Sequence, residues 1–530
     1  MKKNKIVCIA LTLLAAGLVS CSDEWNNHYD QSSQVPETSL YEMVKADPSL
    51  STFAQMVKVA GYDELLASSQ TFTVFAPSNE ALADIDLEDV DAVKRIVLNH
   101  ISRFNCTSAA ADPSVKMYNG KRFNFEGATF GGAELDKVDI LAANGVLHTL
   151  KEQIPYAYNL REYIDTHDNT TKASEFIARF DENIMDIEAS RPIGVDANGA
   201  TVYDSVMIAY NPIFNHEIYG LGDIASEDST FTMIIPTDVA WQAAYDRISP
   251  FFNVYNADPA IADSIKEVQT SLAILSDLIY RQKIDDPAAV PAGLISTSGS
   301  EIADPAALFA GTQPLDASNG NIYLANDNIN YDNVETWNKL IEVEAEEQDG
   351  RTLGAGTTVY TRTVNADPND ALANQISELQ YIEAVGNTTS RQPGVTFAIP
   401  NVLSGEYDIY AAFVPATIAD PLANEQTRLQ FTLSYIDAAG KKKTKAYKNN
   451  DFITSANEIT LIKITDEPFQ FPVSDFTDRL WLSDETNISA ERVAITTLFV
   501  QTNVSNAEFN RNELVRRFRI DQILFVPVKK

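Results

Sequence analysis

Two stretches of this chain repeat one arrangement. Thr73-Val74-Phe75-Ala76-Pro77-Ser78-Asn79-Glu80-Ala81 is a β-rich run stopped by proline and followed by Ser78 and Asn79, either of which can cap a helix. Phe231-Thr232-Met233-Ile234-Ile235-Pro236-Thr237-Asp238-Val239-Ala240-Trp241 repeats that order of strand, proline, cap and helix. Further on in each copy, an Asn-Gly pair opens another β-rich run. These runs are Asn144-Gly145-Val146-Leu147-His148 and Ser318-Asn319-Gly320-Asn321-Ile322-Tyr323. A pattern repeated in this order predicts two structural units of one design, the second diverged.

The residues between these motifs fit mixed α/β units. Phe53, Met56, Val57 and Ala60 lie on one helical face, and Gly61 fits its stop. Val90, Val93, Ile96, Val97, His100 and Ile101 share another helical face. Val138 to Ala142, Asn144-Gly145 and Val146 to Leu150 read as strand, tight turn, strand. In the second copy, Ala173 to Ile187 and Ile261 to Ile284 fit helices. A long insertion precedes the second strand, and its Asp196-Ala197-Asn198-Gly199 reads as a hairpin turn.

The first set of motifs resembles the two signature boxes of fasciclin domains, and Val97-Leu98-Asn99-His100-Ile101 is similar to the helix between them. The resemblance implies a small β-structure wedged together with several helices. Adhesive relatives often carry Tyr-His on that helix, whereas Asn99-His100 stands here.

From about residue 340 the texture becomes all-β. Val395 to Ile399, Tyr407 to Val414, Arg428 to Tyr435, Lys442 to Tyr447, Ile459 to Ile464, Arg492 to Val500 and Phe518 to Val526 read as strands. Asp437-Ala438-Ala439-Gly440 reads as a hairpin turn, and a helix is expected near 369–379. Many strands with turn punctuation predict a β-sandwich. The opening Glu342-Val343-Glu344-Ala345-Glu346 and the closing Arg519-Ile520-Asp521-Gln522-Ile523-Leu524-Phe525 resemble the first and last strands of jelly-roll carbohydrate-binding modules. The expected chain is therefore multidomain: two α+β fasciclin-like domains (38–155, and 156–338 with the insertion), then a jelly-roll-like sandwich (339–530).

The N-terminus predicts export. Lys2, Lys3 and Lys5 precede an apolar run from Ile6 to Ala16, and Leu18-Val19-Ser20-Cys21 follows. That run is too short to span a bilayer, which takes roughly 20 residues, and reads as a secretory signal over 1–20. Leu-Val-Ser-Cys resembles the lipobox, which implies acyl chains (palmitate among them) on Cys21 and a lipidated tether over 21–37. Cys21-Ser22-Asp23-Glu24 looks like the export signal of Bacteroides-type surface lipoproteins. Cys21, Asp23, Trp25, His28 and Tyr29 match the start of fasciclin lipoproteins found beside SusC/SusD-type porins. The resemblance implies a place on the extracellular side of the outer membrane, with a TonB-dependent transporter as partner.

Composition narrows the chemistry. The formal charge is −34, with 74 acids against 40 bases, and such a surface repels phosphate backbones; nucleic acid is excluded as a partner. Cys8 leaves with the signal and Cys21 carries lipid, so Cys106 stands alone as a small packing residue and no intrachain disulfide is expected. The sequence has no His-Glu-x-x-His, no Gly-x-Ser-x-Gly and no phosphate-cradling Gly-Lys-Ser/Thr loop. His100 and His148 read as structural. No catalytic residues are assigned, and no cofactor is required.

Two candidate sites fall in the C-terminal domain. Glu344 or Glu346 on the first strand and Asp521 on the last offer oxygen ligands for calcium, and the resemblance implies a structural calcium at this corner. Sugar binding needs aromatic platforms beside planar polar groups. Trp481, Tyr407 and Tyr410 are the candidate platforms. The resulting expectation is a non-catalytic accessory lipoprotein of a SusC/SusD-type uptake complex that binds polysaccharide or oligosaccharide. Adhesion to cells or matrix, a purely protein-binding scaffold, and a hydrolase with an unrecognised carboxylate pair are its rivals.

Overall fold

In the computed structural model, residues 37–528 are described, apart from 110–111, 196–200, 218–219, 332–336, 348–350, 368–369 and 476–495. Cys21, Trp25, His28, Tyr29, Trp481 and the Asp196–Gly199 turn lie outside the described residues. The described residues fall into two compact units, divided between Tyr158 and Asn159.

In the first unit the Phe72–Pro77 strand is buried along its whole length. A residue run with no polar alternation needs cover on both faces, and it has it. Helices Leu40–Ala46, Ser51–Val59 and Val90–Asn99 pack Val44, Phe53, Met56, Val57, Val93 and Val97 on one side. Phe75, Phe125, Phe130, Leu150 and Ile154 form a second core. The strand pairs in parallel with Gly145–Leu150, in register from Phe72 opposite Gly145 to Pro77 opposite Leu150, and antiparallel with Ile101–Ser102. Ala133–Ala142, Thr129–Phe130, Arg122–Phe125 and Asp112–Lys116 extend the sheet beyond Gly145–Leu150.

A parallel pair without a turn between its strands needs another device to fix its register, and Asn144-Gly145 supplies it. Asn144 Nδ2 donates to the carbonyls of Leu66 and Ser68, at 2.9 and 2.7 Å, and its Oδ1 accepts from Leu40 N at 2.8 Å. Gly145 holds φ +146°, and a Cβ there would overlap the Phe72 carbonyl oxygen. The second unit repeats this contact by contact. Asn319 donates to Ile224 and Ser226 and accepts from Leu160 N. Gly320, also at φ +146°, lies against the Phe231 carbonyl. Phe231–Pro236 pairs in parallel with Gly320–Ala325 in the same six-residue register. Thr73 and Thr232 take matching roles, their hydroxyls donating to the carbonyls of Phe104 and Gln282 at 2.7 Å each.

Several local expectations need correction. No helix directly follows Pro77: residues 79–84 are turns, and Asn79 Oδ1 accepts from Thr52 N at 2.9 Å instead. Thr237 does cap the Asp238–Ile248 helix. The helix expected over 173–187 is Thr171–Ala178, because residues from Glu182 pair with Thr201–Tyr210 as a long antiparallel ribbon. The helix expected over 261–284 is Pro259–Ser276, since Ile279–Tyr280 pairs with Thr232 and Met233. Among the described residues near 369–379, the helical elements are two 3-10 turns, Ala373–Gln375 and Ser377–Leu379.

The rest of the second unit is an antiparallel sandwich. One sheet runs Thr357–Thr363, Gln380–Gly386, Arg517–Pro527, Glu406–Phe413 and Thr460–Lys463, with Ile341–Glu344 also paired to Arg517–Pro527 and Phe469–Gln470 to Glu406–Phe413. The other runs Arg351–Leu353, Gly394–Ile399, Thr496–Thr502, Arg428–Ile436 and Lys442–Ile453. Alternating residues such as Phe397, Ile409, Phe431, Leu498, Val500, Ile523 and Phe525 interdigitate between them. First and last strands are neighbours, with Glu344 opposite Gln522. The sandwich is fastened to the repeat before it: Ser404 N donates to Phe251 O and Ser404 Oγ to Pro250 O, at 2.9 and 2.7 Å, and Leu403 joins that repeat's core. Architecturally, the chain is two α+β fasciclin-like folds followed by a jelly-roll-like sandwich.

Gly145→Ala must displace the Phe72 backbone, so a loss of at least about 2 kcal/mol is expected on denaturant unfolding. Gly61→Ala, at φ +77° in open space, serves as control and is expected to lose only about 1–2 kcal/mol. Equal losses in the two variants would refute the register role of Gly145.

Candidate functional site

The first and last strands of the sandwich bring Glu344, Glu346 and Asp521 together at one corner. Ala345 N donates to Asp521 O at 2.8 Å, which fixes the two strand ends against each other. Asp521 is fully buried. Its Oδ2 accepts from Ser377 N at 3.3 Å, and Glu344 Oε1 accepts from Ser377 Oγ at 2.7 Å. The remaining oxygens, Glu344 Oε2, Glu346 Oε2 and Asp521 Oδ1, are buried without any partner. Burial, with Glu344 and Glu346 adding like charge, pushes the Asp521 carboxyl up to about 7. Burial likewise raises Glu344 and Glu346, and Glu378 adds to both. Beside them Glu378 and Leu379 hold φ of 49° and 58°, a left-handed pair that costs roughly 1–2 kcal/mol per residue. Three orphaned buried oxygens and two strained residues in one place mark a built feature. Among the described residues, no group of three or more His, Cys, Asp or Glu is already gathered at metal-ligand spacing.

The aromatic candidates separate. Tyr407 is only 1% exposed; its ring packs on Phe471 and Phe525, and its hydroxyl accepts from Leu403 N at 3.2 Å. No ligand can stack on it, because alternation turns it into the sandwich core. Tyr410, three residues on, is half-buried on the opposite face, across from Lys463 and Leu524. Lys463 Nζ pairs with Asp408 at 2.9 Å beside it.

The same face carries residues that sequence reasoning missed. Glu383 accepts from Arg362 at 2.9 Å and Arg519 at 2.8 Å, and Arg519 also reaches Glu425 at 3.3 Å. Arg517 completes the network 3.6 Å from Glu425. Burial alone would raise the Glu383 carboxyl, but the arginines hold it below its ordinary value. Tyr360, 46% exposed, lies opposite Glu383 on the next strand, with the Arg362 guanidinium 5.2 Å from its ring centre. Tyr381 is buried beside them. The available signal was the β-rich alternation of Thr357–Thr363 and Gln380–Gly386, two strands absent from the sequence reading.

His100 and His148 are structural. His100 Nδ1 donates to Ile96 O at 2.7 Å, and its Nε2 accepts from Ile154 N at 3.3 Å. His148 Nε2 donates to Cys106 O at 3.0 Å, and its Nδ1 accepts from Asp139 N at 3.3 Å. Each ring therefore has both nitrogens engaged in the neutral form. Cys106 is buried, and burial raises its thiol, which suits packing rather than reactivity.

Comparison with known proteins agrees with the first unit's fold. Residues 48–154 match the fasciclin domain family. Human periostin is 26% identical over 129 residues, which span 22% of this chain and 15% of periostin. A FAS1 domain pair from the insect cell adhesion molecule fasciclin I covers 52% of this chain and 95% of its own, at 14% identity and a TM-score of 0.20. The CBM22-1 xylan-binding domain from Paenibacillus barcinonensis Xyn10C covers 36% of this chain and 95% of its own, at 12% identity and a TM-score of 0.21.

Burial lowers the His100 pKa to about 4, below the roughly 6.5 of an unfolded chain. The unfolded state therefore binds the extra proton first. The stability that His100 contributes is complete above about pH 6.5 and is lost as pH falls toward 4. His100→Gln is expected to flatten that part of the acid-denaturation profile; an unchanged slope between pH 6.5 and 4 would contradict it.

Proposed function

We propose that this chain is a non-catalytic lipoprotein, held by acyl chains on Cys21 at the outer membrane and facing outward, whose sandwich binds glycan as an accessory to a TonB-dependent SusC/SusD-type transporter. The observation that carries the reading is the outer face bearing Tyr360, Arg362, Glu383 and Arg519, with Tyr410 further along it. Sugars pack their C–H faces on rings while their hydroxyls need fixed, planar partners. Here a ring and a half-exposed guanidinium stand together, and Glu383 holds that guanidinium in place. Three arginines against two glutamates leave this patch cationic in a chain of net charge −34, so uronate-containing glycans fit it as well as neutral ones.

The carboxylate corner is proposed to hold a calcium ion through Glu344, Glu346 and Asp521. The set is all oxygen, as calcium prefers, and each residue offers one buried oxygen with no other partner. A bound cation would neutralise the charge these groups otherwise concentrate and would tie the first strand to the last.

Native affinity gels test the glycan reading. Xylan, pectin and xanthan should each be run against the mature chain and against Arg362→Ala/Tyr410→Ala. Retardation by at least one polysaccharide, weakened about tenfold in the variant, is expected; migration indifferent to every polymer would overturn it. For calcium, thermal melting should rise by several degrees over EDTA-treated protein, as expected for a ligand well above its Kd. The rise should be larger above pH 7, where Asp521 is ionised, and absent in Asp521→Asn. Anchoring predicts radiolabelled palmitate on the wild type and none on Cys21→Ala, and gentle-detergent pull-down should recover a TonB-dependent porin.

A further inference from the structure

A pocket of about 140 Å³ lies at the edge strand Gln313–Ala317 of the second fasciclin-like fold. Asp285, Asp316, Asn321 and Tyr323 line it, with Pro314 and Leu315. Asp316 stands directly opposite Asn321 across the antiparallel pair, and Pro314 opposite Tyr323. These four side chains therefore share one face, with opposed Cβ atoms about 4.5–5.5 Å apart.

The amide of Asn321 is half satisfied. This residue is 6% exposed, and its Nδ2 donates to Ile284 O at 2.7 Å and to Asp285 Oδ1 at 3.0 Å. Two acceptors at one end of the amide fix which end carries the N–H groups. Its Oδ1 is left as a buried acceptor with no partner, an arrangement that calls for one from outside. The neighbouring donors are already engaged. The Tyr323 hydroxyl donates to Ile284 O at 2.8 Å, and Lys283 Nζ lies 3.2 Å from Asp285 Oδ1. The contacts from Asn321 and Lys283 both fall on Oδ1 of Asp285, so its Oδ2 remains available. Asp316 is exposed and has no partner among the described residues. The pocket thus has acceptors to spare and lacks a donor or cation.

The first fasciclin-like fold is an internal control. Its Val146 and Leu141 oppose each other one residue past Gly145, as Asn321 and Asp316 do past Gly320. Cys106 N donates to Thr73 Oγ1 as Ile284 N donates to Thr232 Oγ1, which sets Thr107 in the place of Asp285. His148 meets the Cys106 carbonyl where Tyr323 meets that of Ile284. The same backbone therefore accepts valine, leucine and threonine. The fold itself does not require an amide and two carboxylates at these positions.

Charge and size select the occupant. Two carboxylates against the Lys283 ammonium leave the pocket anionic, and hydrogen bonds from Asn321 and Lys283 hold the Asp285 carboxyl below its ordinary value. The volume is well under the roughly 300 Å³ at which small organic ligands begin to fit. It has room for an ion and a few waters of about 30 Å³ each. An all-oxygen set suits calcium, which fills its remaining positions with water and tolerates irregular geometry. We propose that Asp285, Asp316 and Asn321 Oδ1 bind a calcium ion, fastening the edge strand to the segment that follows Ile279–Tyr280. This site is separate from the sandwich corner and does not rest on it.

Calcium is titrated calorimetrically into the mature chain carrying Asp521→Asn, in metal-free buffer, with magnesium and potassium as comparators. The Asp521→Asn background removes the corner site, so failure there cannot mimic success or failure here. One calcium per chain is expected, with a Kd of about 10⁻⁴–10⁻³ M as in extracellular modules. Asn321→Val/Asp316→Leu installs the first fold's residues and should weaken binding at least about tenfold with the circular dichroism spectrum kept. Asp316→Asn, a surface change, is the second variant should that pair fail to fold, with a loss of about threefold or more expected. In the wild-type chain the same pair should remove one bound ion. The proposal is overturned if calcium does not saturate by roughly 10 mM, ten times the weak end of that range. It is equally overturned if magnesium or potassium binds as tightly, or if the variants leave calcium affinity unchanged.

Discussion

The contact of an Asn-Gly pair with the start of a neighbouring parallel strand organises both fasciclin-like folds. Glycine lets the second strand approach the Phe72 or Phe231 carbonyl more closely than any side chain allows. The preceding asparagine then uses its amide to satisfy two carbonyls and one N–H at the end of the sheet. With those ends fixed, each following residue of the pair falls into register, and the fully buried run ending in proline is held in the centre. A hairpin has its turn to set register; a parallel pair has no such turn. The lock recurs although much around it has changed, including the long ribbon inserted in the second copy.

This explains which parts of the fold were legible. The repeated motifs carry the lock and the central strand, so both could be read directly. The sandwich strands were legible where alternation was strong, as in Tyr407–Val414 and Phe518–Val526, which the structure has as Glu406–Phe413 and Arg517–Pro527. Misreadings occurred where pairing overrode local period. Residues after Ala178 and after Ser276 continue a helical pattern, yet they turn into strands because partners at Thr201–Tyr210 and at Thr232–Met233 take their backbone groups. Periodicity reports what a segment prefers alone, and tertiary pairing decides between near-equal preferences.

The candidate sites were legible to a lesser degree and for a similar reason. Glu344, Glu346 and Asp521 were named from strand-end motifs, and the sandwich does bring their strands together. Tyr407 failed because one step of alternation separates core from surface, and its pattern favoured the core at least as strongly. The arginine–glutamate network was invisible because its members come from three strands and a loop. Arg362, Glu383, Glu425 and Arg519 each look ordinary in sequence and acquire meaning only through cross-strand opposition.

The environment of the carboxylates also bears on catalysis. An acid raised to about 7 beside other acids is the electrostatic signature of a proton donor, and Asp521 carries that signature. A general acid, however, must come within hydrogen-bonding reach of a substrate. Asp521 is fully buried, and Ser377 already occupies one of its oxygens. A substrate as large as a sugar has no access to it, whereas a bare cation is small enough to be enclosed. Glu383, on the outer face, is shifted the opposite way by its arginine partners and stays ionised. Asp521 is thus closed to substrate, and Glu383 cannot donate a proton near neutral pH.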